Sequence, residues 1–260
     1  VSLDDDLNGC AGLVHQGDPD RFLATMAAPV AARKVMFPLY AFNVEIARAP
    51  WVTQEAMIAE MRLQWWRDAL AEIAEGGTVR RHEVVTPLAA VLDRDGAEAL
   101  DEAVLARRWD IYRDPFGDQT EFDAHLDRTA GTLLWTAARI LGAGPEAESA
   151  VRDAAWAGGL AAWLRAVPEF EAAGRKPLVD GRVEALKMLA DEGLIRLARA
   201  RAGRSKVPAS ARPVLWSVWQ AGPILAQASA APSRVADGSL GLSEARRKLS
   251  LMVTGLTGRW

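Results

Sequence analysis

Two aspartate pairs stand four residues apart, Asp110 with Asp114 and Asp123 with Asp127. On an α-helix that interval sets both carboxylates on one face, where hard oxygen ligands can share a magnesium ion. Arg107, Arg108, Arg113 and Arg128 lie beside them, so the same acids also read as members of solvated ion-pair networks. The run Asp4, Asp5 and Asp6 is less suited to metal, because consecutive residues diverge around a helix and a helix start attracts acids in any case. One cysteine, Cys10, excludes a disulfide framework and any cysteine-rich zinc or iron–sulfur site, and points to a reducing compartment. His15, His82 and His125 are too far apart in sequence to show ligand spacing. No Gly-rich dinucleotide turn, Walker loop, HExxH or GxSxG occurs, so nucleotide-dependent and hydrolase chemistries have no support.

Two further constellations could bind rather than react. The ten tryptophans include pairs at helical spacing, Trp156 with Trp163 and Trp216 with Trp219, which suit either a packed core or the lining of an apolar pocket for a long-chain lipid. Arg196, Arg199, Arg201, Arg204 and Lys206 follow one another without an intervening acid. That stretch reads as a polar helix face, with anionic lipid or a partner protein as the alternatives.

The elements that must position these residues are helical. Half of the 260 residues are hydrophobic and a quarter charged, and 31 Lys and Arg against 34 Asp and Glu give a formal charge of −3. That balance disfavours nucleic acid as a partner. Runs of β-branched residues are almost absent, and apolar residues recur at three and four positions, so the fold class is all-α. Asp18 and Pro19 look like a cap and first turn, Pro29 to Ala49 forms a helix interrupted by Pro38, and Thr53 opens a helix stopped by Gly76 and Gly77. Further helices are expected over 84–93, 97–113, 119–142, 146–172, 180–202, 209–230 and 243–257. No Ser-, Pro- or Gly-rich linker divides them, which predicts one domain over 1–260. The acidic start VSLDDDLNGC and the lack of a long apolar run predict a cytoplasmic chain.

Four blocks carry a resemblance. RKVMFPLYAFNVEIARAPWV, from Arg33 to Val52, is followed by EMRLQWWRDAL, from Glu60 to Leu70, then FDAHLDRTAGTLLWTAARILG, from Phe122 to Gly142, and AGGLAAWLRAVPEFEAAGRKPL, from Ala157 to Leu178. Together they resemble the squalene and phytoene synthase family along nearly the whole chain. The resemblance implies an isoprenoid-synthase-like helical bundle around a central cavity. Active members condense two prenyl diphosphates head to head, with magnesium ions on opposed aspartate-rich helices meeting the charge of the leaving group.

This sequence departs from that pattern in three places. After Tyr40, Ala41 and Phe42, the residues Asn43 and Val44 stand where a cysteine and an arginine are usual, and Ala47, Arg48 and Trp51 occupy aspartate positions. In the second motif Arg165 matches the arginine and Glu169 keeps one acid, but Ala166 and Phe170 replace the others. The tyrosines expected before Ala130 and Gly131 are missing, with His125, Asp127 and Arg128 in that neighbourhood. Losing one preorganised electrostatic stabiliser typically costs about 10² to 10³ in rate, so two depleted clusters argue against turnover.

FNVEIA at 42–47, RLQWWRDAL at 62–70 and LRAVP at 164–168 are similar to a subgroup of this family, the respiratory complex I assembly factors. The resemblance implies a non-catalytic protein that binds an isoprenoid or lipid, or that works with respiratory-complex subunits or assembly factors, peripheral to the inner membrane. Its implied cavity residues are Arg33, Tyr40, Phe42, Asn43, Glu45, Trp65 and Arg165, with no catalytic or metal-binding residue and no cofactor. Glu45 is expected to pair internally with Arg48, Arg62 or Arg165. The alternative is a prenyltransferase using magnesium on rearranged acids, which requires at least three of Asp110, Asp114, Asp123, Asp127 and Glu169 to converge.

Overall fold

Asp18 ends one helix and begins the next. Its backbone N–H donates to the Val14 carbonyl at 2.8 Å, and its carboxylate accepts from the Arg21 N–H at 2.9 Å. In this computed structural model, which describes residues 3–112 and 114–260, those helices are α1 (Leu3–Gly17) and α2 (Pro19–Ala27). Arg113, grouped above with the arginines beside the aspartate pairs, lies outside the described residues, as does the side chain of Asp4. α1 has no counterpart among the expected helices, although Cys10 and Val14, one turn apart, are both fully buried.

α3 (Val30–Arg48) runs through Pro38, which forfeits a backbone hydrogen bond inside a stretch that is buried without interruption from Val35 to Phe42. α4 (Ala56–Glu75) starts later than Thr53 because the Thr53 hydroxyl accepts from the Glu55 N–H at 3.1 Å and closes a turn ahead of the helix. Gly76 ends α4 in the left-handed region, at φ +69°.

α5 (Val85–Ala89), α6 (Arg94–Ala106) and α7 (Trp109–Tyr112) follow. The helix expected over 97–113 is two pieces, because the N–H groups of Arg107, Arg108 and Asp110 each bond three residues back and tighten the chain between α6 and α7. α8 (Gln119–Leu126), capped by the Asp118 carboxylate, leads through a π-helical turn (Asp127–Gly131) into α9 (Thr132–Ile140). The Thr129 hydroxyl donates to the His125 carbonyl at 2.7 Å and the Thr132 hydroxyl to the Asp127 carbonyl at 3.3 Å, occupying acceptors that the wider turn loosens.

α10 (Glu148–Ala172) and α11 (Val183–Ala202) come next. The helix expected over 209–230 is a 3₁₀ segment (Arg212–Val218) opened by Pro213, then α12 (Ala221–Ala230), before α13 (Ser233–Ala236) and α14 (Glu244–Thr257). α10 is the axis of the bundle, packing on α8, the π turn, α9, α11, α12 and the 3₁₀ segment. Its buried residues lie around more than one face, Ala154 to Ala157 among them, as a central helix requires. The hydrophobic core joins residues from Cys10 to Trp260 in one cluster, and among the described residues there is no strand.

Candidate functional site

The turn after α3 lays the Trp51 ring against Phe170 of α10, with centroids 5.8 Å apart. These are the last positions of the two stretches to which the resemblance assigns opposed acids. The Arg175 guanidinium lies over Trp51 at 4.2 Å and near Trp109 at 5.8 Å, placing a fixed positive charge beside them. Behind it stands an aromatic wall. Trp109 stacks on Phe116 at 4.8 Å with 5° between planes, and Trp163 packs on Trp109 at 5.1 Å and Phe170 at 4.7 Å. The Trp163 indole donates to the Pro177 carbonyl at 2.9 Å, which fixes the strand of chain carrying Arg175.

Charges at this wall are few and desolvated. Arg107 approaches Asp110 at 3.7 Å and donates to the Asn43 side-chain oxygen at 3.3 Å. Burial pushes the Asp110 carboxyl above its usual range, opposed by the charges of Arg107 and Arg175. His125 contacts Phe116 and Trp163, and burial, helped by the charges of Arg107 and Arg128, pushes its pKa down to about 3. The imidazole is therefore neutral at physiological pH.

The aspartate pairs do not act as pairs. α7 ends at Tyr112, so Asp114 lies beyond the helix and is exposed while Asp110 is buried with Arg107. Asp123 pairs with Arg196 at 3.3 Å and Asp127 with Arg152 at 3.0 Å. Glu169 is exposed, and among the described residues no three His, Cys, Asp or Glu side chains gather as a metal site would need.

The implied cavity residues fall into separate neighbourhoods. Tyr40 is fully buried beneath the Arg21 guanidinium, 5.3 Å from its ring, and its hydroxyl accepts no well-formed bond because the nearby Ser217 hydroxyl donates to the Val214 carbonyl. Arg165 pairs with Asp20 at 3.2 Å and borders a cavity of about 110 Å³ with Arg21, Gly158 and Ser217. Glu45 and Trp65 instead line a cavity of about 250 Å³ with Arg62 and His82. Glu45 pairs with Arg48 at 3.8 Å, and Trp65 lies beneath Arg80. Phe42 is core, edge-on to Trp66 at 5.4 Å, and Arg33 donates to the Ala28 carbonyl at the end of α2. Asn43 alone of the set reaches the buried charges at the aromatic wall, through Arg107.

Trp109, Phe116 and Arg175 were missed as site residues. Their sequence signal is thin: Arg175 follows Gly174, whose φ of +75° turns the chain off α10, and Trp109 stands beside the acids that drew attention. Their assembly comes from parts of the chain more than fifty residues apart.

A helical bundle whose two opposed motif stretches meet in this way defines the class. The chain belongs to the squalene/phytoene synthase family, whose family model matches residues 14–179. Among individual relatives it is similar to the NADH dehydrogenase (ubiquinone) complex I, assembly factor 6 homolog of Drosophila melanogaster, with 29% identity over 196 residues that cover 72% of this chain and 58% of that protein. The Homo sapiens assembly factor 6 is 24% identical over 189 residues, covering 72% of this chain and 56% of that protein. The chain thus spans somewhat more than half the length of these relatives. Among solved structures it is similar to a dehydrosqualene synthase crystallised with ligand, at a TM-score of 0.77 and 14% identity, covering 99% of this chain and 98% of that one. A squalene synthase from Alicyclobacillus acidocaldarius gives a TM-score of 0.71 at 16% identity, covering 92% and 97%. These two likenesses establish the isoprenoid-synthase fold.

Proposed function

We propose that this chain is a non-catalytic member of its family, one domain that acts as a respiratory complex I assembly-type factor. The observation that carries the reading is the contact of Trp51 with Phe170 beneath Arg175, where an active member needs carboxylates. Magnesium demands oxygen ligands and is repelled by a nearby guanidinium, so this surface is ill-suited to hold the ion that draws off a diphosphate. Asp110, the one buried acid at the wall, is held by Arg107. The similarity to assembly factor 6 in two animals supports the task in respiratory-complex building, with complex I subunits or other assembly factors as partners. No described helix is long and apolar enough to cross a membrane, which suits peripheral contact with the inner membrane.

The test has two arms. Purified protein with farnesyl or geranylgeranyl diphosphate and magnesium is expected to yield no condensed product, and cells lacking the chain are expected to lose assembled complex I on native gels together with NADH oxidation by their membranes. A magnesium-dependent product would overturn the non-catalytic reading, and intact complex I in the deleted cells would overturn the assembly role.

A further inference from the structure

A roomy hollow lies away from the aromatic wall. A cleft of about 850 Å³ opens between α14, the end of α11 and the start of α12. Its size is that of ordinary small-molecule sites. Its cations are Arg201, Arg204, Arg246 and Arg259, and no Asp or Glu side chain lines it. Among the described residues none of the four pairs with an Asp or Glu side chain, whereas their neighbours on α11 do: Arg196 is engaged by Asp123 and Glu192, and Arg199 by Asp153 and Glu192. Within the basic stretch singled out in the sequence, Arg196 and Arg199 are therefore neutralised, while Arg201 and Arg204 border the cleft. Arg201 is held in place by donating to the main-chain oxygen of Trp260 at 2.6 Å.

The floor is apolar. Trp219 and Trp260 line the cleft at 4% and 6% exposure, and the indole N–H of each is buried with no acceptor. Leu249 and Val253 of α14 line the same space while remaining 62% and 48% exposed, and Met252 and Leu256 extend that apolar surface outward. A small anion would satisfy the guanidinium groups and leave this apolar path uncovered. A neutral hydrocarbon would do the reverse.

We infer that this cleft binds an anionic amphiphile, a carboxylate or phosphate head held by Arg204, Arg246 and Arg259 with its hydrocarbon chain over Trp219, Leu249 and Val253. The inference does not rest on the assembly role and uses no residue of the aromatic wall. Such a molecule has two sources, free in solution or standing in a bilayer, and the experiment separates them.

The full chain is titrated with oleate below its micelle concentration, with oleyl alcohol, with inorganic phosphate, and with phosphatidylcholine vesicles with and without phosphatidylglycerol. Tryptophan fluorescence reads the soluble ligands and co-sedimentation reads the vesicles. Oleate, or vesicles containing phosphatidylglycerol, is expected to bind about tenfold or more tightly than the uncharged counterpart, the loss expected when charge-assisted hydrogen bonds go unmade. Arg246→Glu with Arg259→Glu is expected to abolish that preference, while Arg94→Glu with Arg182→Glu, the same charge change at exposed sites elsewhere, preserves it. Binding of oleate alone assigns the source to solution, and binding of anionic vesicles alone to the bilayer. If the charge-reversed protein fails to fold by circular dichroism, Arg246→Gln with Arg259→Gln carries the comparison. No binding of either anionic form, equal binding by the cleft variant and the control variant, or phosphate binding as tightly as oleate overturns the inference.

Discussion

His125 is a titratable group whose chemistry is set by its surroundings. An isolated histidine would titrate near 6.5, but among Phe116, Trp163 and the charges of Arg107 and Arg128 its pKa falls to about 3. The unfolded chain then binds a proton at mild acidity that the folded chain does not. Stability is retained above about pH 6.5 and lost as pH falls from there toward 3, by about 2 kcal/mol at pH 5. Asp110 has the opposite sign, since its raised pKa favours folding at low pH and that gain is lost as pH rises. Comparing His125→Phe with the parent cancels Asp110, which both retain. The variant is expected to lose less melting temperature between pH 7.5 and pH 5 than the parent, by about 4 to 8 °C. Parallel curves would show that the imidazole is protonated in the fold. At this scale the sequence was partly legible. Asp110 drew notice through its spacing to Asp114, but spacing is silent on burial, and burial turned a candidate magnesium ligand into the partner of Arg107.

Helix α10 shows the same division at the scale of elements. Its existence over nearly the predicted range was readable from composition and punctuation, as were the starts of α2 and the end of α4. Its closeness to the π turn was not. A Cβ placed on Gly159 would stand 2.8 Å from the Ala130 Cβ, and one on Gly158 would stand 2.6 Å from a Val218 methyl. Glycine lets α10 approach both neighbours. Gly159→Val is expected to overpack this contact by about 1 to 3 kcal/mol and to lower the melting temperature by about 2 to 12 °C. A melt within one degree of the parent would mean that the π turn yields freely. The turn itself left no periodic trace, because one extra residue in a helical turn changes the direction of side chains without changing their hydrophobicity.

The whole molecule is tied at Asp20, which meets Arg165 of α10 at 3.2 Å and Arg247 of α14 at 3.4 Å. One carboxylate on α2 thus connects the central helix to the last one. Partly exposed pairs of this kind contribute modestly, about 0.2 to 1 kcal/mol each, so Asp20→Asn is expected to lower the global melt by about 1 to 8 °C. Hydrogen exchange in α14 should rise by about five- to tenfold while the core of α10 stays protected. Equal acceleration in both helices would place Asp20 in the global fold rather than in the attachment of α14. Arg165 was singled out from the sequence as a cavity residue, and the structure shows it in this latch.

The sequence by itself determined the all-helical class and the family, because helical periodicity, proline and glycine punctuation and four motif blocks are local properties that survive without coordinates. It also determined that Ala47, Arg48, Trp51, Ala166 and Phe170 are not carboxylates. What only the tertiary structure decided is which residues take their place in space. Trp51, Trp109, Phe170 and Arg175 meet through long-range packing, and the seven implied cavity residues disperse over α3, α4 and α10. The physical reason is that desolvation and contact depend on the packing of distant segments. A helical repeat records which face is apolar, and nothing in it records which other face will cover it.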